Sequence, residues 1–166
     1  MPNIVKPLKI AIDLKSITNK KITENNKNLF EHGAIKGALG SITVLSEVYD
    51  LYLITKYNSI TQDEILRWLK AAEIDTAFRK IVVLDENKSL RDFILQDRIN
   101  VTIATDIEII KAAEKTSAIY WLSEVHTKDI PSGIQKATSW YDILKDVIKY
   151  STMENYDFRY TKKKRK

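Results

Sequence analysis

The sequence predicts an α/β fold, an open sheet of five parallel strands covered by helices on both faces, and three observations lead there. Short runs of apolar, β-branched and aromatic residues recur along the chain, as strands buried on both faces require. Between them lie longer segments whose apolar residues repeat at helical spacing. The two kinds of segment alternate, which is the pattern of a parallel sheet joined by crossover helices.

The strands are read at residues 9–14, 51–55, 80–84, 101–104 and 118–122. A first helix is read over residues 29–49, where Gly33, Ala34, Gly37, Ala38 and Gly40 suggest close packing of a helix backbone on the sheet. The next spans 61–72 and opens with Thr61-x-x-Glu64, a capping box that satisfies the free amides of a helix start. Helices at 89–96, 105–115 and 139–150 complete the set, the second of them opening with Thr105-x-x-Glu108. Residues 125–136, with Pro131 and Gly133, read as a loop, and residues from 151 onward are polar and aromatic without clear period. The expected organisation is one domain over residues 1–150 and a tail over 151–166.

With 166 residues and 44% hydrophobic content, the chain can bury one substantial core. It has no cysteine, which excludes disulfides, zinc–thiolate sites and thiol nucleophiles and points to an intracellular protein. No apolar run approaches the roughly 20 residues that span a bilayer, and the first residues lack a signal-peptide core. The expected location is therefore the cytoplasm, or an organelle membrane surface if an anchor has been removed.

Lysine and arginine number 27 against 22 acidic residues, but the last five residues, Lys162 to Lys166, are all basic, so the other 161 carry 22 charges of each sign. The basic excess belongs to the tail, which suits contact with anionic surfaces as well as it suits a solvated end. A neutral body argues against a dedicated nucleic-acid site. His32 and His126 are the two histidines and stand at no metal-ligand spacing, which disfavours zinc. No glycine-rich loop follows a strand, which disfavours a nucleotide phosphate site.

Four residues stand where open α/β sheets place ligand-facing groups, at strand ends and helix starts. Asp13 ends Lys9-Ile10-Ala11-Ile12-Asp13, Thr55 ends the second strand, Lys88 precedes a helix, and Asp106 follows Val101-Thr102-Ile103-Ala104-Thr105. Each also fits a plain structural role. Asp13 can pair with Lys15 or Lys88, Thr55 can bond the backbone, Lys88 can be a surface lysine, and Asp106 can be a helix-start charge.

In this order the four resemble the haloacid dehalogenase-like (HAD) superfamily over residues 8–123. The resemblance implies a three-layer Rossmann-like sheet of strand order 3-2-1-4-5 with no cap domain. It makes Asp13 the nucleophile, Thr55 the hydroxyl that positions the phosphoryl group, Lys88 the neutralising lysine, and Asp13 with Asp106 the magnesium ligands. The chemistry has a physical basis, because an aspartate attacks phosphate only when a metal and a cation screen their mutual repulsion. The departure is Lys15, which stands two residues after Asp13, where phosphatases of the superfamily carry the acid that protonates the leaving group. An ordinary lysine is a poor proton shuttle near neutral pH. Ile107 likewise follows Asp106 where many members have another acid.

The phrases Leu45 to Thr55, Ile99 to Ile110 and Ser139 to Leu144 resemble peroxin-22 proteins. In that family a Rossmann-like domain without enzyme activity anchors and activates a ubiquitin-conjugating enzyme at the peroxisome. Two functions are therefore expected in competition. One is a degenerate, non-catalytic HAD-like domain, a pseudoenzyme without cofactor that binds another protein, with a ubiquitin-conjugating enzyme as candidate. The other is a magnesium-dependent phosphohydrolase. The aromatic residues Trp140, Tyr141, Tyr150, Tyr156, Phe158 and Tyr160 suit a partner surface, although Trp140 and Ile143 suit packing on the sheet better.

Overall fold

The apolar run of β1 (Lys9–Asp13) lies at the centre of a parallel sheet, hydrogen-bonded to β2 (Asp50–Thr55) on one side and β4 (Val101–Ala104) on the other. Beyond β2 lies β3 (Phe78–Val83), and beyond β4 lie β5 (Ala118–Leu122) and β6 (Ile134–Ala137). This computed structural model describes residues 8–18, 32–56, 60–84, 89–113, 117–122 and 134–151. Lys88, His126, most of the loop read at 125–136 and residues 152–166 lie outside them.

The strand order is β3-β2-β1-β4-β5-β6, so the expected order holds with one strand more than the five read from the sequence. The sixth comes from within the segment read as a loop. Its polar centre, Gln135-Lys136, departs from the all-apolar pattern, and among the described strands β6 pairs with β5 alone. A strand at a sheet margin need not be apolar on both faces, so the rule that found the other five passes over it.

Alternation along the strands divides the core. Ile10 and Ile12 face one apolar cluster, into which α1 (Ala38–Val48), α2 (Gln62–Ala71) and α5 (Trp140–Ser151) insert Ile42, Leu45, Trp68, Leu69, Trp140 and Ile143. Ala11 faces the other, filled by Phe93 and Ile94 of α3 (Leu90–Asp97) and Ile109 and Ile110 of α4 (Ile107–Ala113). The result is three layers, helices on both faces of the sheet.

Helix starts follow the capping residues closely. The Thr61 hydroxyl accepts from the Glu64 amide at 3.1 Å, Ser89 from Asp92 at 3.1 Å and Ser139 from Asp142 at 3.2 Å. At α4 the cap is Asp106, which accepts from the Glu108 amide at 2.9 Å, and not Thr105 as the capping-box spacing suggests. Of the helix expected over 29–49, residues 29–31 lie outside the described residues, residues 32–37 are not helical, and α1 begins at Ala38 after Gly37, which turns the chain with φ +84°. Ahead of it, Ala34 makes an isolated antiparallel bridge with Thr18. Close packing does not account for Gly40, where a Cβ would meet nothing within 4 Å. Among the described residues, no helix is long and apolar enough to cross a membrane.

Trp140 ties the last helix to the turn that follows β1. Its side chain is fully buried, and its indole N–H donates to the Ser16 carbonyl at 2.7 Å. Truncating such a residue removes both packing and a buried hydrogen bond, so Trp140→Ala should cost about 3–5 kcal/mol. Trp140→Phe, which mainly orphans the Ser16 carbonyl, should cost about 1–3 kcal/mol. Urea denaturation of the two variants checks both the size and the ranking.

Candidate functional site

A parallel sheet that runs outward in both directions from its first strand leaves a crevice at the carboxyl ends of the strands where the order reverses. Here that point lies between β1 and β4. Asp13 is the last residue of β1, Asp106 follows β4, and Thr55 ends β2 one residue beyond Ile54, the register partner of Asp13. The fold thus carries three of the four expected site residues to one edge of three adjacent strands. Lys88, the fourth, lies outside the described residues.

Asp13 is 1% exposed and caps the 3-10 turn Leu14–Ser16. Its Oδ1 accepts a long 3.4 Å bond from the Lys15 amide, and the Ser16 hydroxyl donates to the Asp13 carbonyl at 2.6 Å. Its Oδ2 is buried with no hydrogen-bond partner among the described residues. Burial dominates the titration of this group. It pushes the carboxyl up to about 7, against the opposing effects of the Lys15 amide and charge and of Lys56, while the charge of Asp106 adds to the rise. Thr55 is buried as well, and its carbonyl accepts from the Leu84 amide at 2.7 Å.

The Lys15 ammonium turns to Asp106, not to Asp13. Its Nζ stands 3.0 Å from Asp106 Oδ2, and the two side chains are only 14% and 17% exposed. Burial alone would raise the Asp106 carboxyl. The hydrogen bond from Lys15, the Glu108 amide and the charges of Lys15 and Lys56 outweigh it and hold Asp106 below the usual carboxylate range. Lys56 is the residue that sequence reasoning missed. It directly follows Thr55, its charge reaches both acids, and its Nζ lies 3.4 Å from Glu108 Oε2. A lysine directly after a strand-end hydroxyl was the available signal.

The structure resembles solved ones in overall fold. It superposes on an uncharacterized protein from Listeria monocytogenes with TM-score 0.67 and 14% identity, covering 88% of this chain and 99% of that one. A D,D-heptose bisphosphate phosphatase from B. bronchiseptica, solved with magnesium and phosphate, gives 0.64 and 12%, covering 86% and 98%. A haloacid dehalogenase-like hydrolase from Streptococcus pneumoniae gives 0.63 and 11%, covering 84% and 98%. The chain has the haloacid dehalogenase-like fold. No protein-family model matches the sequence, and no curated protein matches it.

The HAD-like fold implies magnesium between the acids of this crevice, and the side chains can be tested for it. Magnesium demands several hard oxygen ligands in near-octahedral array. Asp13 Oδ2 would suit a cation, but Asp106 has Oδ2 bonded to an ammonium and Oδ1 to an amide. Among the described residues, no group of three or more histidine or carboxylate side chains could hold a metal ion. As arranged, with a lysine amine beside the acids, these residues do not fit magnesium.

A pH dependence follows from Asp13. Its folded value near 7 lies above the unfolded 3.8, so its contribution is full below pH 4 and is lost as pH rises through 7. The shift corresponds to at most about 4 kcal/mol. Relative to Asp13→Asn, the wild-type protein should therefore lose about 2–3 kcal/mol between pH 5 and pH 8. Urea midpoints of both proteins at the two pH values measure this difference directly.

Proposed function

We propose that this HAD-like domain works without catalysis, as an adaptor that binds another protein, with a ubiquitin-conjugating enzyme as the candidate partner. The observation that carries the reading is the Lys15 ammonium 3.0 Å from Asp106. It puts an ammonium where phosphoryl-transfer chemistry of this fold needs a proton-shuttling acid, and it engages an acid that the chemistry needs for a metal. The resemblance to peroxin-22 proteins supplies the candidate partner and, with it, the peroxisome surface as the place of action.

Exposed apolar groups give an adaptor something to bind with. Val44 and Val48, one turn apart on α1, are 40% and 57% exposed, and Tyr141 on α5 is 62% exposed. These two helices pack side by side on one face of the sheet. Exposed apolar and aromatic side chains of this kind are the usual anchors of protein interfaces.

A second reading is favoured by one observation, the buried Asp13 Oδ2 without a partner. On that reading the chain is a magnesium-dependent phosphohydrolase with Asp13, Thr55, Lys88 and Asp106 as its site, and Lys15 must leave Asp106 before reaction.

The two readings separate in assay. With magnesium and a panel of phosphate monoesters, the wild-type protein should release no phosphate above the level of Asp13→Asn. Turnover that Asp13→Asn abolishes would replace the adaptor with the enzyme. Against an immobilised ubiquitin-conjugating enzyme, the pair Val48→Asp and Tyr141→Ala should weaken binding by about tenfold or more, the effect of losing an interface anchor. Asp13→Asn should leave that binding unchanged.

A further inference from the structure

The misfit with magnesium has a definite chemical form. Two carboxylates, Asp13 and Asp106, are brought to the ends of adjacent strands by the sheet order. In a shielded crevice, neighbouring carboxylates are tolerated when a cation lies with them or when one stays protonated. A cation that hydrogen-bonds one of these acids is part of the chain. Lys15 leaves β1 on the 3-10 turn that Asp13 itself caps, and the bond from the Ser16 hydroxyl to the Asp13 carbonyl braces that turn. Ser16 is held in addition by the Trp140 indole. The ammonium is therefore delivered by a braced turn into a position 3.0 Å from Asp106 Oδ2, in surroundings largely closed to water.

We propose that the Lys15 ammonium is the resident cation of this crevice, taking the place of a divalent ion between the two strand-end acids, so that removing the side chain opens a magnesium site. The inference rests on the non-catalytic reading of the same crevice and adds the reason that the crevice needs no metal. An ammonium is a monovalent donor of three hydrogen bonds that costs no ion binding from solution. Removing it frees Asp106 Oδ2 after β4, the strand that pairs with β1, whose last residue Asp13 has a buried, unpartnered Oδ2. Two carboxylates with retained waters are a ligand set that magnesium accepts.

The test is thermal melting of the whole chain against magnesium chloride, with isothermal titration of magnesium into the same samples. Wild-type protein should melt at a temperature independent of magnesium up to about 10 mM and give no binding heat. Lys15→Ala should melt lower than wild type in chelator and recover by about 2 °C or more with magnesium, because a ligand that binds only the folded state raises its midpoint. Lys15→Met, which keeps the aliphatic stem, serves if the alanine variant is poorly folded, and Lys15→Ala combined with Asp13→Asn should lose the magnesium response. Magnesium binding by wild type overturns the proposal, and so do Lys15 variants, folded or unfolded, on which magnesium has no effect. Failure of the adaptor reading shows elsewhere, as Asp13-dependent phosphate release, so the two cannot be confused.

Discussion

The ammonium of Lys15 crosses from the turn after β1 to the carboxylate of Asp106 after β4, a 3.0 Å contact that joins the carboxyl ends of two adjacent central strands. Two charges that are largely shielded from water lose hydration, and their attraction repays it only when the geometry is good and the remaining lone pairs are bonded. Asp106 meets that condition, with Lys15 on one oxygen and the Glu108 amide on the other. Asp13 does not, since one of its oxygens is buried without a partner among the described residues. The pair therefore separates the two acids chemically. Asp106 is held as a carboxylate, while burial leaves Asp13 with a proton up to about pH 7.

This arrangement depends on topology. Asp13 and Asp106 are far apart in sequence, and they come to the ends of neighbouring strands because β4 returns to pair with β1 after the chain has laid down β2 and β3. The reversal creates a crevice in any sheet of this kind, and solved structures at 11–14% identity share the overall fold. What occupies the crevice is a matter of individual side chains and not of the fold. A lysine two residues after the strand-end aspartate supplies a cation to this crevice.

Much of the fold was legible because its central strands are nearly pure apolar runs and several helices begin at a hydroxyl cap. Leu51 and Leu53, fully buried, and Thr61, Ser89 and Ser139 at helix starts illustrate both signals. Two features were hidden for physical reasons. The strand Ile134–Ala137 carries Gln135 and Lys136 at a sheet margin, where polarity is tolerated. The helical spacing across residues 32–37 gave no sign that Gly37 would turn the chain. At the site, positions were legible and partnerships were not. Strand ends nominate Asp13, Thr55 and Asp106, but only the adjacency of β1 and β4 decides that Lys15 bonds Asp106 in preference to its near neighbour Asp13. The influence of Lys56 on both acids was hidden in the same way, since it is exerted across strands.

A double-mutant cycle between Lys15→Met and Asp106→Asn, read by equilibrium unfolding at pH 7, tests the contact on which this account turns. If the two side chains form the shielded ion pair described, the cycle should give a coupling of about 1–3 kcal/mol, because each single change strands the partner and the double change does not. Effects that simply add, to within about 0.5 kcal/mol, would mean that Lys15 does not hold Asp106 and that the crevice is organised in some other way.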